Sequence, residues 1–120
     1  CGAHLQGQPL NYQLTERGGV FLEKTVTANA YKLYALAGGP PKRPGLVRDE
    51  NGTEIEIELW SLPTATLGSF LAGIAAPLGL GKLEIKDGRL VTGFICESYG
   101  LDGATDITSF GSWRKYLLNK

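Results

Sequence analysis

From residue 53 to residue 62 the chain alternates charge with aliphatic bulk: Glu54, Glu56 and Glu58 interleave with Ile55, Ile57 and Leu59. A period of two predicts a strand with one wet and one buried face. Residues 20–28 and 31–36 are dominated by β-branched and aromatic side chains, which predicts two more extended segments; Gly38-Gly39-Pro40-Pro41 ends the second, and a basic surface loop follows at 42–45. Asn51-Gly52 is a dipeptide that tolerates the two positive φ angles of a tight hairpin, so residues 46–48 are expected to pair across it with the strand at 53–62. Asp87-Gly88 predicts a second hairpin, joining 82–86 to 89–97. Helical spacing occurs twice. Leu67, Phe70, Leu71 and Ile74 fall on one stripe of a short helix that Pro77 must end. Ile107, Phe110, Trp113 and Leu117 form a second stripe of core residues, with Asp106 or Thr108 as N-cap and Arg114, Lys115 and Lys120 suited to the negative end of the helix dipole.

Strands joined by hairpins, with one helix inserted and one at the end, imply an α+β domain in which an antiparallel or mixed sheet curls strongly around two main helices. Hydrophobic residues make up 42% of the 120 positions and charged ones 20%, a globular balance that fits one domain over residues 1–120. Lys and Arg number 12, as do Asp and Glu, so the basic surface that nucleic-acid binding needs is missing. Residues 70–80 form the least polar stretch, too short and too broken by Gly73, Pro77 and Gly79 to span a bilayer. Cys1 and Cys96 lack metal-ligand spacing; they read as reduced thiols of a cytoplasmic protein, with a single bridge between them as the alternative. A chain without methionine is expected to be a fragment or a processed product, and an N-terminal Cys also suits an acylated lipoprotein. Asn51-Gly52-Thr53 matches a glycosylation sequon, although the turn explains the same residues more simply.

Few places in this sequence can carry chemistry. No G-x-S-x-G nucleophile elbow occurs, and one histidine with two distant cysteines offers no zinc spacing. Gly79-Leu80-Gly81-Lys82 imitates a phosphate loop, but the preceding glycine is wrongly spaced and Leu83 replaces the magnesium-binding hydroxyl. There remains His4, in the loop Gly2-Ala3-His4-Leu5. Small residues let backbone amides approach an anion, a histidine exchanges protons near neutral pH, and Asn11, Gln13 and Arg17 follow as candidates to hold a carboxylate. By spacing alone a lone histidine is more often structural than catalytic.

Six runs resemble the C-terminal domain of allophanate hydrolases: CGAHLQGQPLNYQLTERGG at 1–19, YKLYAL at 31–36, GGPPKRPGLV at 38–47, GSFLAGIAAPLG at 68–79, GFICE at 93–97 and DITSFGSWR at 106–114. They occur in order over nearly the whole chain. The resemblance implies a γ-glutamylcyclotransferase-like fold, a mixed sheet bent into a small barrel, whose first strand would precede Cys1 and whose substrate loop corresponds to Gly2, Ala3, His4 and Leu5. Cyclotransferases place a glutamate just after the strand matching 53–62, and residues 63–70 here contain no carboxylate; Glu97 is the only improvised substitute. What the family implies instead is decarboxylation of N-carboxycarbamate in urea catabolism, downstream of an amidase, without metal or organic cofactor. His4 would supply the proton. The loop amides, Asn11, Gln13 and Arg17 would hold the carboxylates, with Tyr34, Pro77, Leu78 and Glu97 as further pocket residues from the family pattern. Expected partners are a small carboxylated urea-derived substrate, an amidase domain or chain, and a second copy in a homodimer. The alternatives are a non-catalytic docking module with apolar contacts around Leu78 and Trp113, or a cyclotransferase relative using Glu97 as base.

Overall fold

The computed structural model describes residues 1–119; Lys120, expected at the end of the last helix, lies outside them. After the opening loop comes a four-residue helix that the sequence pattern did not suggest, α1 (Tyr12–Thr15). β1 (Val20–Val26) then pairs antiparallel with β4 (Glu56–Ser61), and the register shifts around Leu22. β2 (Tyr31–Ala35) lies between β3 (Pro44–Arg48) and the two-residue β7 (Thr105–Asp106), antiparallel to both. β5 (Leu78–Glu84) and β6 (Leu90–Cys96) form the third sheet, again antiparallel. Isolated bridges between Thr27 and Ile85 and between Tyr31 and Thr53 tie the sheets together. The α+β class stands, with three helices in place of two. The barrel does not: among the described residues the strands form three separate antiparallel sheets that never close.

The alternation from 53 to 62 buries Ile55 and Ile57 as expected, but its strand pairs with β1. Residues 46–48 pair with β2, correcting the expected hairpin. The reason lies in the turn. Among the described residues no non-glycine residue has positive φ, and Gly52 does not either, so Asn51-Gly52 builds no tight hairpin. Asp49 makes the turn instead, its side chain accepting from the Asn51 amide at 2.8 Å and its carbonyl from the Gly52 amide at 2.8 Å. Gly52 is pressed so close to the Tyr31 backbone that a Cβ there would meet it at 2.4 Å. Tyr31, the first residue of β2, thereby stands between Arg48 and Thr53. At Asp87-Gly88 the hairpin does form, with Gly88 at φ 93° and Asp87 accepting from the Arg89 amide at 3.0 Å.

α2 (Thr64–Ala72) stops at Gly73, well before Pro77. Of its expected stripe only Phe70 is fully buried; Leu67 and Leu71 remain 38% and 49% exposed, because this face of the helix borders open space. The C-terminal stripe is also divided. Gly111, at φ 65°, separates a 3-10 turn (Thr108–Phe110) from α3 (Trp113–Leu118). Asp106 caps the 3-10 turn by accepting from the Thr108 amide at 2.9 Å, whereas the N-cap of α3 is Ser112. Trp113, Ile107, Leu5, Leu33, Leu46, Ile55 and Leu83 meet in one buried cluster with Tyr31. Trp113 therefore offers no docking contact. No helix among the described residues is long and apolar enough to cross a membrane.

Candidate functional site

The opening loop is a turn fixed from several sides. The Leu5 amide donates to the Gly2 carbonyl at 3.0 Å, the Leu10 amide to the Ala3 carbonyl at 2.8 Å, and Asn11 Nδ2 to the His4 carbonyl at 2.9 Å. Position 2 requires glycine, since a Cβ there would lie 2.2 Å from the Pro44 ring. Ala3 and Leu5 are buried, which leaves His4 as the side chain the turn presents. Among the described residues the amides of Ala3 and His4 donate to no other group. Those two donors are free for an anion.

His4 Nε2 is 2.7 Å from Gln13 Oε1. With that oxygen as acceptor, the neutral ring carries its proton on Nε2 and a lone pair on Nδ1. The imidazole stacks on Phe94, centroids 4.9 Å apart, and meets the Phe70 edge at 5.3 Å. Burial pulls the His4 pKa below its ordinary 6.5; the Gln13 bond offsets part of this, and the positive charges of the N-terminal amine and Arg43 add to it. His4 is therefore neutral at pH 7 until a negative charge arrives.

Two cavities flank the ring. The smaller, about 60 Å³, is bordered by Gly2, Ala3, His4, Gln13, Arg43 and Leu78. The larger, about 300 Å³, is apolar and separates β4 and α2 from the β5–β6 hairpin, with His4, Phe70 and Phe94 in its wall. Leu5 borders the larger cavity only.

Of the expected carboxylate holders, Gln13 reaches the smaller cavity and two do not. Asn11 is occupied by the His4 carbonyl; Arg17 spans the Gln13 carbonyl and Ser69 Oγ, both at 3.0 Å, so both residues build the loop. Leu78 borders the smaller cavity. Tyr34, Pro77 and Glu97 border neither cavity. Glu97 is exposed and its amide donates to the Pro77 carbonyl at 2.9 Å.

Two groups escaped the sequence pattern. Arg43, placed there in a basic surface loop, is half-buried beside His4 because it immediately precedes the buried Pro44 that packs on Gly2. The second is a clamp on the residue two positions after His4. The Gln6 amide donates to Glu58 Oε1 at 2.9 Å, while Arg114 Nη2 donates to the Gln6 carbonyl at 2.7 Å and to Glu58 Oε2 at 2.8 Å. Burial alone would raise the Glu58 pKa, but the bonds from Gln6, Arg114 and Trp60 outweigh it and hold the carboxyl below its usual range. Neither group has a local signature, since the partners come from opposite ends of the chain. Among the described residues no group of three His, Cys, Asp or Glu side chains could hold a metal ion.

The sequence model of a family described as the allophanate hydrolase C-terminal domain matches residues 1–118. A urea amidolyase of Saccharomyces cerevisiae is 42% identical over 97% of this chain, which spans only 7% of that relative. The solved allophanate hydrolase of Kluyveromyces lactis superposes with a TM-score of 0.94 at 41% identity, over 98% of this chain and 20% of that one. A uropathogenic E. coli-specific protein superposes with a TM-score of 0.90 at 33% identity, over 99% of this chain and 92% of that one. The last comparison concerns a polypeptide scarcely larger than this fold.

Proposed function

This chain belongs to the allophanate hydrolase C-terminal domain family, and we propose that it is a single domain, residues 1–120, that releases carbon dioxide from N-carboxycarbamate. That compound is what an amidase leaves after removing ammonia from allophanate during urea breakdown. The partner in this reading is an amidase domain or chain, and the overall plan is that of a γ-glutamylcyclotransferase relative whose sheets remain open. One observation supports the assignment above others: His4, Gln13 and Arg43 border one small cavity together with Ala3, and among the described residues the amides of Ala3 and His4 have no acceptor of their own.

The chemistry needs little more. One C–N bond breaks, its electron pair passes to nitrogen, carbon dioxide departs, and a proton delivered to that nitrogen gives carbamate. A bound dianion favours the imidazolium form of His4, so substrate itself loads the proton that the reaction consumes. The Ala3 and His4 amides stabilise charge as it develops, and one such donor is worth about 3 kcal/mol, roughly a hundredfold in rate. The test couples this chain to an amidase acting on allophanate and follows carbon dioxide release. His4→Ala is expected to remove the acceleration, and an unchanged rate refutes the assignment.

A docking role is the second reading, favoured by Val20 and Leu22 of β1, each 60% exposed. It predicts a stable complex with the amidase and no acceleration.

A further inference from the structure

We propose that Arg43 anchors the carboxylate that the substrate retains, which makes the smaller cavity a two-ended site selective for short dianions. The inference rests on the decarboxylation reading and adds to it an orientation and a selectivity. Of the five arginines, Arg17, Arg48, Arg89 and Arg114 each bond a side chain or carbonyl. Arg43 alone has no hydrogen bond or ion pair from its guanidinium among the described residues, although it is half-buried. A guanidinium held without a partner keeps its full donor set for a carboxylate, which it grips through two parallel bonds.

Its placement is fixed on both sides. The Arg43 carbonyl accepts from the Leu36 amide at 3.0 Å, and the next residue, Pro44, fills the space that glycine leaves at position 2. The backbone at Arg43 is thereby registered against the turn that carries His4. The same cavity is mixed in character. Arg43, Gln13 and His4 supply polar groups to its lining, while Ile74, Leu78 and Phe94 supply apolar ones.

A lining of both kinds orients the reaction. A carboxylate placed against apolar side chains is destabilised by desolvation, and the strain disappears when it leaves as neutral carbon dioxide. The carboxylate that stays is charged throughout and belongs on Arg43. The cavity is small, about 60 Å³, so a dianion with a single atom between its carboxylates suits it better than a longer one.

Malonate is the stable isostere, with a methylene in place of nitrogen, and malonamate is the same molecule with one charge removed. Titrating this chain with each, monitored by the NMR shifts of the His4 ring and the Arg43 Nε–H, is expected to show malonate binding at least tenfold more tightly. Arg43→Gln should lose that preference and weaken malonate at least tenfold, while Arg43→Lys recovers part of the affinity because it keeps charge without the planar fork. Thermal melts establish that both variants are folded. Malonate and malonamate binding equally, no malonate binding by the wild type, or Arg43→Gln binding malonate like wild type would each overturn the proposal. In the coupled assay Arg43→Gln should raise KM about tenfold with a smaller effect on kcat; an unchanged KM counts against the anchor. An unchanged rate in His4→Ala would sink the decarboxylase reading while leaving the malonate comparison interpretable.

Discussion

Replacing Arg114 by methionine keeps the aliphatic stem and deletes the guanidinium that joins the His4 loop to β4. The Glu58 side chain is 3% exposed and Arg114 is 29% exposed, so the variant leaves a buried carboxylate with its Gln6 and Trp60 bonds but without its cation. Breaking a buried ion pair from one side costs about 3–5 kcal/mol, and water reaching the Arg114 side of this pair places the loss near the lower end, about 3 kcal/mol. For a domain of this size that is roughly a 10 °C fall in Tm. The same clamp sets a pH dependence. The Glu58 pKa is lower folded than its ordinary 4.5, so the unfolded chain binds the proton more readily. Stability from this group is therefore fully present above pH 4.5 and is lost as pH falls through the folded value. Thermal unfolding followed by circular dichroism from pH 3 to 7 should show that slope in wild type and its loss in Glu58→Gln. The double variant should be less destabilised than the two single changes summed, because each single change already removes the shared bond. A Tm shift under 2 °C for Arg114→Met, or strict additivity, would refute the clamp.

Gly2→Ala should force the loop or the Pro44 ring to move, costing about 1–3 kcal/mol and slowing carbon dioxide release; a melt superimposable on wild type would show that the contact yields freely. Ser112→Ala removes the α3 cap, whose oxygen accepts from the Lys115 amide at 3.4 Å, and should cost about 1 kcal/mol in chemical denaturation. His4 should titrate by NMR with a midpoint below 6.5 in the free protein and a higher one with malonate bound. Since protonation of a group with a depressed folded pKa favours the unfolded chain, His4 lowers stability as pH falls below 6.5, and His4→Gln should remove that component.

Local rules worked where local physics decided. The alternation at 53–62 located β4 and its buried Ile55 and Ile57, and Asp87-Gly88 located the hairpin because the turn needs nothing from elsewhere. Asn51-Gly52 misled because a long-range bridge, Tyr31 to Thr53, and the Asp49 side chain outweighed the dipeptide's own preference. Glu58 was legible as an outward-facing residue of the strand but not as a buried one. Its cover comes from Arg114 and Gln6, 56 and 52 residues away in the chain. Arg43 was hidden for the same kind of reason: only the packing of Pro44 on Gly2 turns a basic loop into a cavity wall.

In the proposed reaction His4 would combine a structural role with a chemical one. Its stacking on Phe94 and its edge contact with Phe70 are what a buried structural histidine would make, and that same burial is what depresses its pKa. Without the aromatic packing the ring would be partly protonated near neutral pH whether or not a ligand were present. With it, the free site holds a neutral imidazole bonded to Gln13, and the proposed dianion is what draws in the proton. Phe94→Ala separates these effects, since it relieves burial without touching Gln13 or Arg43. The His4 midpoint should then rise toward 6.5 and its dependence on malonate should shrink. A His4 midpoint that stays depressed in Phe94→Ala would mean that positive charge from the N-terminal amine and Arg43, not aromatic burial, keeps the imidazole neutral.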